Sequence, residues 1–219
     1  MTNKSQTPTV LMLLSSGCAH CPGVLNNLTE LLKSGAISKL EAININEQPE
    51  IAQKLNIRSV PWVKIGQIEL TGAQTKAELV RAIEQAASSA GLAQYYEDML
   101  NNGQLQETIE QLQKQPDNMP LLLDMLQNPE IQISVQIGIG AIMEEFAATA
   151  PLIKLIPALT ELTKHPLARI RNDACYYLSL SADTRVKDTI SQLLNDTDNE
   201  VRETAKDCLE ELQEIETNQ

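Results

Sequence analysis

Residues 10–22 read Val10-Leu11-Met12-Leu13-Leu14-Ser15-Ser16-Gly17-Cys18-Ala19-His20-Cys21-Pro22. Five apolar residues without a polar break predict a buried strand, and the small Ser-Ser-Gly turn that follows predicts a helix that begins near Cys18. Two cysteines therefore stand three positions apart where a strand is followed by a helix. We expect the first domain, residues 1–90, to be organised around this junction.

The two cysteines are expected to differ in reactivity. A helix N-terminus carries unpaired N–H groups and the positive end of the helix dipole, and both stabilise an anion, so the position of Cys18 predicts a lowered pKa for its thiol. Cys21 lies one turn further into the predicted helix and is expected to be less exposed. Cys18 is thus the predicted attacking thiolate, and Cys21 is the predicted resolving thiol.

The other elements of residues 1–90 follow from apolar spacing and turn residues. They are predicted as a helix ending near Ser34, a strand at 39–45, a helix at 48–55, a strand opening at Pro61, a strand at 68–71 and a helix after Thr75. Thr75 and Glu78 have the spacing of a capping box. The predicted order is strand, helix, strand, helix, strand, strand, helix.

Two motifs in this order of elements resemble the thioredoxin superfamily. They are Cys18-Ala19-His20-Cys21-Pro22 after the first strand and Asn56-Ile57-Arg58-Ser59-Val60-Pro61 before the third, with Gly72 at the end of the fourth. The resemblance covers residues 8–88 and is to the minimal, glutaredoxin-sized version of the family. It implies an α/β thioredoxin fold, with a four-stranded mixed sheet and flanking helices, and thiol-disulfide exchange at Cys18 and Cys21.

The resemblance also implies a role for the second motif. In the family, the proline that corresponds to Pro61 is cis and lies beside the two sulfurs. Its implied roles are to remove a backbone donor near the sulfurs, to exclude competing ligation and to let the main chain of Val60 pair with an extended substrate segment. Trp62 is then predicted to border the substrate groove, and a buried core aromatic on the strand is the alternative.

The sequence departs from thioredoxin itself at several positions. Gly17 stands where thioredoxins carry a tryptophan, and Ala19-His20 replaces the Gly-Pro between the cysteines. Met12 matches the position of the acid that thioredoxins bury beneath the active site, and Ala42 matches that of the accompanying lysine. Without the acid, water or His20 must accept the proton of the resolving thiol.

His20 is the remaining candidate for a catalytic role. As a protonated neighbour it would stabilise the Cys18 thiolate and make the disulfide more oxidising, and disulfide-forming relatives place a histidine at this position. An exposed histidine without a role is the alternative. A metal site made of Cys18, His20 and Cys21 is disfavoured because it leaves the fourth ligand unexplained. We expect no cofactor besides the redox-active Cys18-Cys21 disulfide.

Beyond residue 90 the sequence predicts helices and no strands. A helical pair at 91–118 precedes residues 119–219, where a shift of 31 positions aligns Ile170-Arg171 with Val201-Arg202. Each copy predicts two helices around a short polar turn, and the first helices are predicted at 121–127, 152–164 and 186–194. This arrangement resembles a run of HEAT repeats. Such solenoids bury their faces against neighbouring repeats and generally bind proteins.

Several individual residues of this half are predicted to stabilise the repeats. Asp196 and Arg202 hold the ladder positions of the HEAT family in the last copy, whereas His165 replaces the acid in the preceding one, so the ladder is predicted to be incomplete. Cys175 and Cys208 are predicted to be buried in the core of the helices.

Charge and length set the remaining expectations. The 219 residues carry a net charge of −12, with 8 basic and 7 acidic residues in 1–90 but 9 and 22 in 91–219. This acidic balance argues against nucleic acid as a partner and is typical of either a solvated surface or a site for a basic protein. Residues 1–9 are polar, and the apolar run after them is too short for a signal peptide or a membrane span, so we expect a cytoplasmic protein.

The sequence therefore predicts a thiol-disulfide oxidoreductase that acts on protein disulfides, with a helical repeat domain that recruits a protein partner. A non-enzymatic adaptor is the alternative from another class. In that alternative the thioredoxin-like fold binds extended peptides and the cysteines are vestigial.

Overall fold

The computed structural model describes residues 7–217, and the chain divides into two compact units, Met1–Tyr96 and Glu97–Gln219. Residues 1–6 of the predicted first domain and 218–219 of the predicted repeats lie outside the described residues. The predicted boundary at residue 90 falls inside a helix, Ser89–Asn101, that spans the division between the units.

The first unit is built on a four-stranded mixed sheet. Its strands are β1 (Thr9–Leu14), β2 (Lys39–Asn44), β3 (Trp62–Ile65) and β4 (Ile68–Thr71), in the order β2-β1-β3-β4. β1 pairs parallel with β2 and antiparallel with β3. Because β1 has a neighbour on each side and its apolar residues are mostly buried, it forms the centre of the sheet. The predicted four-stranded mixed sheet is confirmed.

Three helices complete this unit: α1 (Cys21–Ser34), α2 (Pro49–Lys54) and α3 (Lys76–Gln85). α1 connects the two parallel strands, as such a pair requires, and it buries a stripe of apolar residues at helical spacing. It ends where Gly35 adopts a left-handed conformation with φ 79°. The predicted capping box of α3 is confirmed, since the Thr75 side chain accepts from the Glu78 amide and the Glu78 carboxylate accepts from the Thr75 amide.

The second unit is helical throughout its described residues. With the helix that spans the division between the units, its helices are α4 (Ser89–Asn101), α5 (Leu105–Lys114), α6 (Pro120–Leu126), α7 (Ile133–Glu145), α8 (Ala150–Lys154), α9 (Ile156–Leu162), α10 (Ala168–Leu180), α11 (Lys187–Leu193) and α12 (Asn199–Thr217). The prediction of one helix over 152–164 is wrong: Pro157 has no N–H to donate to the Ile153 carbonyl, and the segment divides into α8 and α9. No helix among residues 7–217 has the length and apolar character needed to cross a bilayer.

Two arginines at equivalent repeat positions fix the turns before α10 and α12. Arg171 Nη1 donates to the His165 carbonyl at 2.9 Å, and Arg202 Nη1 donates to the Asp196 carbonyl at 2.7 Å, as the 31-residue shift requires. Arg171 also donates two hydrogen bonds to the Asp196 carboxylate, from Nε at 2.7 Å and from Nη2 at 2.6 Å. The ladder therefore has one contact between neighbouring repeats, from Arg171 to Asp196. His165 has no carboxylate and contributes only its backbone carbonyl, which accepts from Arg171.

Two glycines lie inside α7, and they differ in their surroundings. A Cβ added at Gly138 would come within 2.9 Å of Leu100 Cδ2, whereas one at Gly140 would meet only the Tyr177 hydroxyl at 3.7 Å. Gly138 therefore allows a close side-chain approach, while Gly140 leaves room for a methyl group.

We expect Gly140→Ala to raise the free energy of unfolding by about 0.5–1 kcal/mol, because alanine loses less backbone entropy in a helix. Gly138→Ala is the matched control and should gain less or lose stability, since Leu100 must move. Urea unfolding followed by far-UV circular dichroism measures both. Equal stabilisation by the two substitutions would contradict the packing argument at Gly138.

Candidate redox site

The cysteine pair lies at the junction of β1 and α1, as predicted, but the helix begins later than the sequence suggested. α1 starts at Cys21, and His20 is its N-cap residue. Cys18 therefore precedes the helix by three residues, and its amide donates to the Ser15 carbonyl at 3.1 Å in a turn. The predicted start near Cys18 is therefore three residues too early. Pro22 lies in the first turn of the helix, where proline is preferred.

The effect expected of the helix N-terminus on Cys18 is nevertheless supported by geometry. The amide of Cys21, the first residue of the helix, donates to Cys18 Sγ at 3.1 Å. The first-turn amides of a helix have no partner within the helix, so this one is available to a sulfur anion. Such a contact favours the charged form of Cys18.

The two sulfurs face each other across the first turn. Cys18 and Cys21 are joined by a disulfide, and their Cα atoms are 5.5 Å apart. Cys18 is half-buried, whereas Cys21 is only 3% exposed. This difference in access is the one expected for an attacking Cys18 and a resolving Cys21.

The second motif approaches the sulfurs from β3. The Val60–Pro61 peptide bond is cis, and the Val60 carbonyl oxygen lies 3.6 Å from Cys18 Sγ. Pro61 is buried, and its carbonyl accepts from the Gly72 amide at 2.8 Å, which ties the loop to the end of β4. The structure thus brings Cys18, Cys21, Val60 and Pro61 together.

Trp62 does not belong to this group. Its side chain is 2% exposed and packs in a core cluster with Leu13 and Ala52. The prediction that Trp62 borders the substrate groove is therefore wrong, and the alternative of a core aromatic on β3 describes it. The burial follows from α2, which covers this face of the sheet through Ala52.

Two asparagines that the sequence analysis did not single out hold the loop before Cys18. The Ser16 amide donates to Asn46 Oδ1 at 2.9 Å, and Asn44 Nδ2 donates to Ser16 Oγ at the same distance. The Asn46 amide in turn donates to Asn44 Oδ1 at 3.1 Å. The sequence carries one signal for these contacts. Asn44 and Asn46 stand at the carboxyl end of β2, and the carboxyl ends of the parallel strands β1 and β2 lie side by side.

The surroundings of the pair contain few further polar candidates. His20 is exposed, and its side chain makes no capping hydrogen bond to α1. Met12 is fully buried, so its position beneath the site carries a thioether and no carboxylate, and Ala42 lies beside it on β2. Among residues 7–217, no group of three or more His, Cys, Asp or Glu side chains is placed to hold a metal ion.

Comparison with known proteins finds two family matches. Residues 9–85 match the family described as the thioredoxin domain, and residues 187–215 match the HEAT repeat. No curated protein matches the chain. The chain therefore combines an N-terminal thioredoxin-like domain with a C-terminal helical repeat region, and both predicted resemblances are confirmed.

Proposed function

We propose that this protein is a thiol-disulfide oxidoreductase that acts on protein disulfides. The observation that carries the proposal is the position of Cys18 Sγ. This sulfur accepts a hydrogen bond from the Cys21 amide at 3.1 Å and lies 3.6 Å from the carbonyl oxygen of Val60, the residue before the cis proline. The amide contact favours a thiolate, and the thiolate is the nucleophile of disulfide exchange.

The proposed reaction has two exchange steps. The Cys18 thiolate attacks one sulfur of a substrate disulfide, and the other substrate sulfur leaves as a thiolate that takes up a proton. The Cys21 thiolate then attacks Cys18 Sγ and releases the second substrate thiol. Two electrons pass to the substrate, and the protein ends with the Cys18–Cys21 disulfide, which an external dithiol must reduce before another cycle.

The surrounding residues support these steps in distinct ways. Asn44 and Asn46 fix the loop through Ser16, so that Cys18 keeps its position while its bonds change. Since Met12 provides no base, water or the exposed His20 accepts the proton of Cys21. When protonated, His20 also stabilises the Cys18 thiolate. No bound cofactor is required, and the reaction suits the reducing cytoplasm.

The helical repeat region is proposed to recruit the protein substrate. The support is the HEAT repeat match at residues 187–215, because stacked helical repeats present extended surfaces to proteins. This part of the proposal concerns affinity for the substrate and not the chemistry of the cysteines.

Trapping tests both parts. In Cys21→Ser the mixed disulfide on Cys18 cannot be resolved, so we expect substrate proteins to remain covalently bound and to be released by dithiothreitol. Cys18→Ser/Cys21→Ser is the control and should trap none. If the single variant traps no more than the control, the proposed exchange reaction is wrong.

Recruitment is tested with a Cys21→Ser chain that ends at Gly103. Its cooperative urea unfolding, followed by circular dichroism, should show that the first unit is folded. It should still react with a small disulfide, yet trap protein substrates less efficiently than the full-length Cys21→Ser chain. Equal trapping by the short and full chains would exclude recruitment by the repeats.

A non-enzymatic adaptor is the second candidate, and one observation favours it. The buried Met12 occupies the position where thioredoxins keep an acid, so the resolving thiol has no buried base. Titration of the Cys18 thiolate by its ultraviolet absorbance separates the two functions. A pKa well below that of a free thiol supports the enzyme, and one near the free value supports the adaptor.

A further inference from the structure

The helical unit contains two more cysteines, and they form a pair. Cys175 on α10 and Cys208 on α12 are 0% and 3% exposed and are not joined by a disulfide. α10 and α12 pack against each other, and each of the two thiols shifts the pKa of the other, so the sulfurs are close neighbours. Two neighbouring thiols on adjacent helices can form a disulfide after a local movement of the side chains.

One of these sulfurs borders a cavity. A cavity of about 270 Å³ lies between α10 and α12, and its lining includes Asn172, Asp173, Tyr176, Asp207, Cys208 and Glu211. Cys208 therefore has a route to small molecules, whereas Cys175 does not line the cavity. Three of the lining side chains are carboxylic acids, so the cavity disfavours anions and attracts cations.

We propose that Cys175 and Cys208 are a second dithiol site, which exchanges with small cationic disulfides that enter through this cavity. The Cys208 thiolate attacks one sulfur of the small disulfide and expels the other half as a thiolate. The Cys175 thiolate then attacks Cys208 Sγ, expels the second half and leaves a Cys175–Cys208 disulfide. The small disulfide gains two electrons, and its two thiolates take up the two protons lost by the cysteines.

The order of attack follows from the environments of the two thiols. The neighbouring Cys175 thiol lowers the pKa of Cys208, although burial and the nearby Asp207 and Glu211 oppose the effect. The Cys208 thiol, followed by burial, raises the pKa of Cys175. Cys208, which also faces the cavity, is thus the first nucleophile, and Cys175 ionises only when it resolves the mixed disulfide.

The test uses the full chain with Cys18→Ser and Cys21→Ser, so that only the second pair can react and the result is independent of the proposed function. Cystamine, a disulfide with two ammonium groups, should remove both free thiols of the folded protein and leave a mass lower by two hydrogens. Peptide mapping should locate the new bond between Cys175 and Cys208.

Charge selectivity tests the route through the cavity. At low salt, cystamine should react at least about 10-fold faster than dithiodipropionate, a doubly anionic disulfide of similar length, and added salt should narrow the difference. Equal rates for the two reagents would exclude the acidic cavity as the entrance.

Single replacements in the same background separate the two roles. Cys175→Ala should stop at a mixed disulfide on Cys208, and Cys208→Ala should leave Cys175 unreacted while the protein is folded, which circular dichroism verifies. Mixed disulfides on both cysteines of the unsubstituted pair without a cross-link, or reaction only in urea, would overturn the proposal.

Discussion

Replacing Cys18 by serine is expected to slow the reaction of the reduced protein with a small chromogenic disulfide by at least about 100-fold, because a serine hydroxyl is not ionised near neutral pH and forms no mixed disulfide. The remaining Cys21 is only 3% exposed and cannot substitute for Cys18 at a comparable rate. Stopped-flow absorbance after removal of free reductant measures the rate. The parent protein and all variants carry Cys175→Ala and Cys208→Ala, so that only the pair Cys18 and Cys21 can react.

The variant Cys21→Ser gives the complementary result. It retains the nucleophile, so its reaction should remain fast, but it should release one equivalent of chromophore where the parent protein, with Cys18 and Cys21 as its only cysteines, releases two. Lys33→Ala, at the exposed far end of α1, serves as the control for surface changes and should match the wild type. If Cys18→Ser reacts as fast as the wild type, Cys18 is not the nucleophile.

The architecture of the first unit was predictable because its signals are local. Apolar runs, Gly66 between β3 and β4 and the Thr75 capping box each specify an element within a few residues of sequence. The start of α1 is less well defined by the sequence, because the Ser-Ser-Gly turn favours a start near Cys18 and Pro22 favours the later start that the structure has. A proline in the first turn is the stronger indicator of where a helix begins.

The errors and omissions at the candidate site have a different origin. Alternation along β3 shows which residues share a face of the sheet, but it does not show that α2 covers the face of Trp62. Similarly, the two hydrogen bonds that join Ser16 to Asn44 and Asn46 depend on the pairing of Leu14 with Asn44. That register joins segments 30 residues apart, and the sequence of neither segment specifies it.

The repeat region shows how far sequence periodicity reaches. The 31-residue shift placed Arg171 and Arg202 at equivalent positions, and both arginines bind the carbonyl at the start of their own turn. The shift could not show that Asp196 pairs with the arginine of the preceding repeat. Because this contact joins neighbouring repeats, it is expected to contribute more to stability than an ion pair within one turn.

Arg171→Ala is accordingly expected to lower the free energy of unfolding by about 3 kcal/mol, the range observed when one partner of a buried ion pair is removed. The side chains of Arg171 and Asp196 are only 13% and 8% exposed, so the remaining carboxylate would be poorly solvated. Urea unfolding followed by circular dichroism measures the loss. Arg185→Ala is the matched control, since Arg185 is 80% exposed in its pair with Asp183 and should cost less than about 0.5 kcal/mol.

The same pair predicts a pH dependence. The hydrogen bonds from Arg171 lower the pKa of Asp196 to about 2, against about 3.9 for an unfolded aspartate. A carboxyl group whose pKa is lower in the folded state stabilises the fold fully above its unfolded pKa, and this stabilisation is lost as the pH falls through the folded value. The difference in stability between wild type and Arg171→Ala should therefore be constant above about pH 5 and shrink towards pH 2. A difference that stays unchanged over this range would show that the lost bonds to the His165 and Pro166 carbonyls, and not the ion pair, account for the effect of the substitution.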